Sequence, residues 1–212
     1  MHIDPAGLPF IGGALVLGLL VGVTAGWALA LPLIAVGGCF AYFFRDPDRL
    51  TPAGNEIVLS PADGRVLVAG PATPAAAPQG EWQQVSIFLS PMNVHVNRVP
   101  VSGRITRVSY TPGRFLPAYR DEAATSNERS EIWIDHAGQT VVARQIVGLL
   151  ARRVVCRLKA GANVRAGDRF GIMKFGSRMD VFLPPTATMA VKVGDLVRGG
   201  ETVIAVLHSQ NE

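Results

Sequence analysis

Hydrophobic and polar positions fall into two regimes along this chain. From Gly7 to Phe44 there is not one Asp, Glu, Lys, Arg or His, and a helix needs only about 20 apolar residues to cross the hydrocarbon core of a bilayer. The run predicts membrane contact. Leu8 to Ala30 is long enough for one crossing, whereas Leu31 to Phe44 is short and suits a tilted or re-entrant return around Pro32. A buried helix pair in a soluble protein has similar composition. The glycines Gly12, Gly13, Gly18, Gly22, Gly26, Gly37 and Gly38 suit lipid better than water.

After Pro52 the texture changes to short β-branched runs broken by Gly, Pro and Asp: 57–59, 65–68, 85–89, 104–108, 132–134 and 141–143. Such spacing predicts a mainly β body of barrel or sandwich type. The division expected is a membrane-associated segment over 1–45 and a catalytic β domain over 46–212. Gly70 to Gly80 and Thr111 to Ser130 read as loops, the second long enough for a substrate lid. Val164 to Ile172 is echoed by Val197 to Ala205, each with a turn carrying Gly at its fourth position, then an acidic residue, then a strand. The echo predicts two equivalent stacked hairpins.

Charge narrows the partners. The 20 Lys+Arg against 16 Asp+Glu leave net +4, which suits an anionic surface. No basic run interleaves with aromatics, so nucleic acid is not an expected partner. Arg45 and Arg49 close the apolar run, while the flank Met1 to Pro5 has no Lys or Arg. That flank lacks the basic start of a secretory signal, so the segment reads as retained in a cell membrane with the body on the cytoplasmic side. Cys39 and Cys156 have no CxxC spacing, and His2, His95, His136 and His208 have no metal-ligand spacing. Neither a disulfide framework nor a metal site is expected.

Three stretches carry candidate chemistry. Asp63-Gly64 in Ser60-Pro61-Ala62-Asp63-Gly64 is a natural tight turn. In Ser90 to Pro100, read as a strand, period two places Asn93, His95 and Asn97 on one face and Val94 and Val96 on the other. A surface strand alternates the same way, yet a histidine between two amides is also what a positioned acid-base group needs. The third is Gly176-Ser177 in Met173 to Asp180, where a glycine carbonyl lies open to a neighbouring hydroxyl. As a bare dipeptide it is an ordinary turn.

Together, SPADGRV, SPMNVHVNRVPVSG, SNERSE and KFGSRMD, following an apolar leader that ends in FFRDPDR, resemble the short branch of the phosphatidylserine decarboxylases over nearly the whole chain. The resemblance implies autocatalytic serinolysis between Gly176 and Ser177, giving a β chain of 1–176 and an α chain of 177–212 that stay together as a heterodimer. Ser177 would become a pyruvoyl group, the covalent cofactor, with no metal. It would form a Schiff base with phosphatidylserine, release carbon dioxide and leave phosphatidylethanolamine; archaetidylserine is an alternative substrate. The resemblance places His95 as base, oriented by Asp63. Longer members have Leu-Gly-Ser-Thr where this chain has Phe175-Gly176-Ser177-Arg178, and a second histidine where it has Arg98, so one histidine would serve both self-cleavage and decarboxylation. Arg98, Arg129 and Arg178 are candidates for holding the substrate's phosphate or carboxylate.

Two other classes compete. A membrane-anchored biotinyl- or lipoyl-like barrel-sandwich carrier would explain the echoed hairpins, with Lys174 as its modified residue, but leaves the other motifs idle. A periplasmic structural domain conflicts with the placement of Arg45 and Arg49.

Overall fold

Glycine decides where the apolar leader turns. The computed structural model describes residues 2–149, 154–174 and 176–208, and the chain divides into two compact units, Met1–Asp48 and Arg49–Glu212. In the first, β1 (His2–Ile3) precedes two antiparallel helices, α1 (Leu8–Ala25) and α2 (Trp27–Phe43), and pairs antiparallel with β2 (Arg45–Asp46). The break between the helices falls at Gly26, whose φ of 103° is open to glycine and strained for other residues. Pro32, expected at the turn, lies inside α2 instead. Pro32 is the sixth residue of α2, past the free N–H groups of the first turn, so the helix lacks the bond that residue 32 would otherwise donate to the carbonyl of residue 28.

Small residues let α1 and α2 approach. A Cβ at Gly22 would sit 2.7 Å from the Trp27 ring, and one at Gly18 would sit 3.1 Å from Ile34. The outer faces carry Leu20, Val23, Leu29 and Leu31, each more than half exposed. Pro5–Ala25 is long and apolar enough to cross a membrane, and α2 is shorter.

The second unit contains β3 (Ile57–Leu59), β4 (Gly64–Pro71), β5 (Gln83–Leu89), β6 (Val96–Arg98), β7 (Gly103–Thr111), α3 (Ala123–Ser126), β8 (Arg129–His136) and β9 (Gln139–Ile146). It continues with β10 (Val154–Cys156), β11 (Asn163–Val164), β12 (Arg169–Met173), β13 (Ser177–Leu183), β14 (Thr188–Met189), β15 (Leu196–Val197) and β16 (Val203–Val206). The six sequence-expected runs all lie in strands. An eight-stranded antiparallel sheet runs β11-β7-β8-β9-β13-β5-β4-β15, with two three-stranded sheets, β10-β12-β6 and β14-β16-β3.

That order is palindromic about β9 and β13. Gly64 opens β4 and Gly103 opens β7, and a Cβ at either would lie 2.2 Å from a carbonyl oxygen of the neighbouring strand, Phe88 or Asp135. The segments before them pair with each other: Leu59 N–H donates to the Pro100 carbonyl and Arg98 N–H to the Pro61 carbonyl, both at 2.9 Å. Val164–Ile172 and Val197–Ala205 occupy equivalent places, with Gly167 donating to the Val99 carbonyl and Gly200 to the Ser60 carbonyl at 2.8 Å. They are not hairpins, which corrects the expectation. β11 pairs with β7 and β15 with β4, while β12 and β16 cross into the small sheets. The echo marks two corners that carry the chain between sheets, turning on Gly167 (φ 88°) and Gly200 (φ 76°).

β13 is the strand that positions the chemistry. It lies between β5 and β9 in the middle of the large sheet, and every residue from Ser177 to Leu183 is buried. Met179, Val181 and Leu183 join the main core with Ile87, Leu89, Ile132, Ile134 and Phe170. On the opposite face Arg178 donates to Asp180 at 2.6 Å and to the Ser86 hydroxyl at 3.0 Å. Both faces of this strand are buried, so its charges must pair.

Candidate active site

Gly176, the residue before β13, meets His95. The Ser90 to Pro100 stretch is a strand only over β6; Ser90–Met92 form a turn closed by Asn93 N–H donating to the Ser90 carbonyl at 2.9 Å. Neither of its faces is exposed as in a surface strand: Val94, His95, Val96 and Asn97 are all buried. The bend brings the His95 ring onto its own chain, with Nδ1 2.9 Å from the Asn93 carbonyl oxygen. A carbonyl only accepts, so Nδ1 carries the proton and Nε2 presents a lone pair. Nε2 accepts from the Gly176 N–H at 3.3 Å. The basic nitrogen thus meets the backbone one peptide bond before the Gly176–Ser177 link.

Ser177 is fully buried and its Oγ has no hydrogen-bond partner among the described residues. An unpartnered buried hydroxyl costs about 1–3 kcal/mol, and such groups in native proteins call for a reason. Gly176 takes φ 73°, and a Cβ there would meet only Pro91 Cγ, at 4.0 Å. Its carbonyl is more confined. An ideal Cβ on Gly148 would lie 1.8 Å from the Gly176 oxygen and 2.9 Å from its carbon. Gly148 therefore forms the wall against which the carbonyl of that link rests, and only a residue without a side chain fits.

Asn127 of the SNERSE stretch holds that wall. Its Nδ2 donates to the carbonyls of Val147 and Leu116, each at 2.8 Å, and its Oδ1 accepts from Leu116 N–H at 2.9 Å. Val147 N–H in turn donates to the Glu128 carbonyl at 3.1 Å. The expected lid over Thr111 to Ser130 is therefore pinned, through Asn127, α3 and a bridge between Arg114 and Asn127. Gly148 and Asn127 were not singled out from the sequence, whereas Asn93 was placed on one face with His95, and it is its backbone carbonyl that meets the ring. Of Gly148 and Asn127, only Asn127 carried any signal, as part of a motif.

Asp63 is placed differently from expectation. Its two oxygens accept from Arg49 Nη2 at 2.9 and 2.8 Å, and Oδ1 accepts from Gly199 N–H at 2.7 Å. It ties the second corner to the SPADG turn, and at Nδ1 the Asn93 carbonyl takes the orienting position that Asp63 was given. A turn aspartate beside a corner glycine finds backbone and guanidinium donors nearer than an imidazole.

The arginines also separate. Arg178 is committed to Asp180 and Ser86. Arg98 is buried, donates to the Gly167 carbonyl at 3.0 Å and packs its Cδ at the Gly200 position. Arg129 is partly exposed and donates to the Thr125 carbonyl at 2.8 Å. Burial first, then the Arg144 guanidinium, pull Arg129 below its ordinary pKa, with Glu131 acting the other way. Among the described residues no group of three or more His, Cys, Asp or Glu could hold a metal ion.

A buried serine with no partner among the described residues, following a glycine whose N–H meets an imidazole nitrogen and whose carbonyl is confined, is an arrangement that could support acyl chemistry. The family profile described as phosphatidylserine decarboxylase matches residues 36–205. A phosphatidylserine decarboxylase proenzyme of Paramagnetospirillum magneticum is 45% identical over 98% of this chain and 88% of its own length. Proenzymes of the same name from Pelodictyon phaeoclathratiforme (49% identity, 77% of each chain) and Cupriavidus taiwanensis (43%, covering 95% of this chain and 94% of that protein) are also similar. The chain belongs to the phosphatidylserine decarboxylase family, carboxy-lyases that convert phosphatidylserine to phosphatidylethanolamine.

Proposed function

We propose that this chain generates its own reactive group at Ser177, by cutting the Gly176–Ser177 link, and then decarboxylates phosphatidylserine there. The single observation that carries the reading is the buried Ser177 Oγ, unpartnered among the described residues, next to Gly176, whose own N–H, one peptide bond before the scissile link, donates to His95 Nε2. His95 Nε2 exchanges the Gly176 N–H for the Ser177 hydroxyl and accepts its proton. Oγ bonds to the Gly176 carbonyl carbon, the C–N bond breaks, and His95 returns the proton to the departing nitrogen, leaving an ester. Loss of the Ser177 Cα proton then breaks the Cβ–Oγ bond. Oγ departs on the new Gly176 carboxylate, and the resulting dehydroalanine takes up water and releases ammonia. The pyruvoyl group so formed supplies a ketone for the substrate amine and an adjoining carbonyl to take the electron pair freed as carbon dioxide leaves. His95, held in one tautomer by Asn93, is then placed to protonate the product carbon.

The two pieces need no covalent tie. β13 from the small α chain pairs with β5 and β9 of the large β chain, and β15 and β16 pair with β4 and β3. Sidedness rests on Arg45 and Arg49 following the apolar helices, which favours the cytoplasmic face of the cell membrane. Arg129 suits the substrate's phosphate or carboxylate: it lies in register with Ile146 and Arg178, two strands and roughly 10 Å from β13. An anion there would offset its repulsion with Arg144. Arg129→Ala should raise KM for phosphatidylserine about ten- to a hundredfold with kcat and self-cleavage unchanged, as read from steady-state kinetics on the processed enzyme.

Denaturing electrophoresis with intact-mass measurement tests the reading. The expected result is a fragment running from residue 177 to 212, closed to N-terminal sequencing and lighter by one ammonia than the serine-started peptide. A fully active, uncut chain would overturn it. His95→Ala should slow self-cleavage about 10²- to 10⁴-fold; a time course of fragment release at the wild-type rate would remove His95 from the role.

A further inference from the structure

We propose that Met92, Tyr119 and Leu149 form an apolar rim that seats the Gly176–Ser177 centre directly on the surface of the lipid bilayer carrying its substrate. The inference rests on Ser177 being the reactive residue. These side chains are 65%, 59% and 61% exposed. They come from three separate loops, yet each is the chain neighbour of a residue packed at the centre. Pro91 Cγ is the nearest atom to a Cβ on Gly176, Gly148 backs the Gly176 carbonyl, and Ala118 Cβ lies 3.4 Å from the Gly148 Cβ position. Tyr119 stands edge-on to Phe88, 6.0 Å between ring centroids, and Phe88 is the β5 partner of Arg178.

The substrate's chemistry selects the occupant. Phosphatidylserine keeps its acyl chains in the bilayer, and its amine is only a few bonds from the phosphate. Ser177 is fully buried whereas Gly176 is partly exposed, so the opening beside Gly176 has to reach the lipid headgroup layer. Apolar side chains at that opening enter the interface, where Tyr and Met are at home with one side wet. Arg114 and Arg120, both exposed on the same loop as Tyr119, lie at headgroup depth and complement the lipid phosphates. Asp121 and Glu122, the nearby acids, line a separate cleft with Gln84 and Arg178.

The test uses the full, self-processed chain. Met92→Ser, Tyr119→Ser and Leu149→Ser combined should raise KM for long-chain phosphatidylserine in phosphatidylcholine vesicles at least about tenfold. Self-cleavage, kcat, and kcat/KM for monomeric dihexanoyl phosphatidylserine should stay within about twofold. Unchanged vesicle kinetics, or an equal loss on both substrates, would overturn the rim. Should the combined variant not process, Leu149→Trp reports alone: its added emission should be quenched by brominated lipid, and quenching no greater than wild type would overturn the proposal. Failure of the underlying reading shows separately, as activity surviving Ser177→Ala.

Discussion

Ser177→Ala should abolish both self-cleavage and decarboxylation, giving one full-length band and activity reduced by at least about 10⁴-fold. Without Oγ there is no nucleophile for the Gly176 carbonyl, and alanine cannot eliminate to a ketone precursor. The substitution should also stabilise the fold. Oγ is buried with no partner among the described residues, so its removal relieves about 1–3 kcal/mol and should raise Tm by a few degrees relative to the unprocessed wild-type chain. That opposite movement of stability and activity marks a group kept for chemistry; an inactive variant that is also markedly less stable would point to a structural role. An uncut variant with wild-type turnover would remove Ser177 from the reaction.

Gly148→Ala is expected to be nearly as damaging, although residue 148 donates no group to the reaction. Its Cβ would lie 1.8 Å from the Gly176 oxygen, where both partners are backbone and neither can rotate away. The scissile carbonyl must shift, and misplacement by an ångström costs on the order of 10²-fold in a positioned reaction. Fragment release should slow by about that factor or more, while Ser177 and His95 remain in place. Gly176→Ala is the control. There φ 73° imposes about 1–2 kcal/mol of strain, but the space is open, with Pro91 no nearer than 4.0 Å. It should slow cleavage by roughly tenfold, since 1.4 kcal/mol is one decade. If Gly148→Ala processes faster than Gly176→Ala, the carbonyl is not held by residue 148.

The buried polar row behind the centre is a matching case of placement by the sheets. Gln145 Nε2 donates to Asn97 Oδ1 at 2.8 Å, joining β9 to β6 behind His95. Asn97 was expected on one face with His95, with a surface strand and a positioned acid-base group both open, and the face is buried. The alternation was legible; which side water occupied was not, because the burial of β6 comes from distant segments, its partner β12 and Gln145 among them.

What the residue order determined by itself is local or linear. An uncharged run from Gly7 to Phe44 demands lipid or a partner whatever surrounds it, the β-branched runs became strands, and the reactive glycine and serine are neighbours by covalent connection. What the tertiary structure alone decided is everything requiring distant backbone to meet. The wall at Gly148, the capture of Asp63 by Arg49 and Gly199, and the two corners mistaken for hairpins depend on which strands pair, and pairing follows from the burial of whole faces. Glycine at 148 is explained only by an oxygen from another strand's end, and no periodicity encodes such a contact.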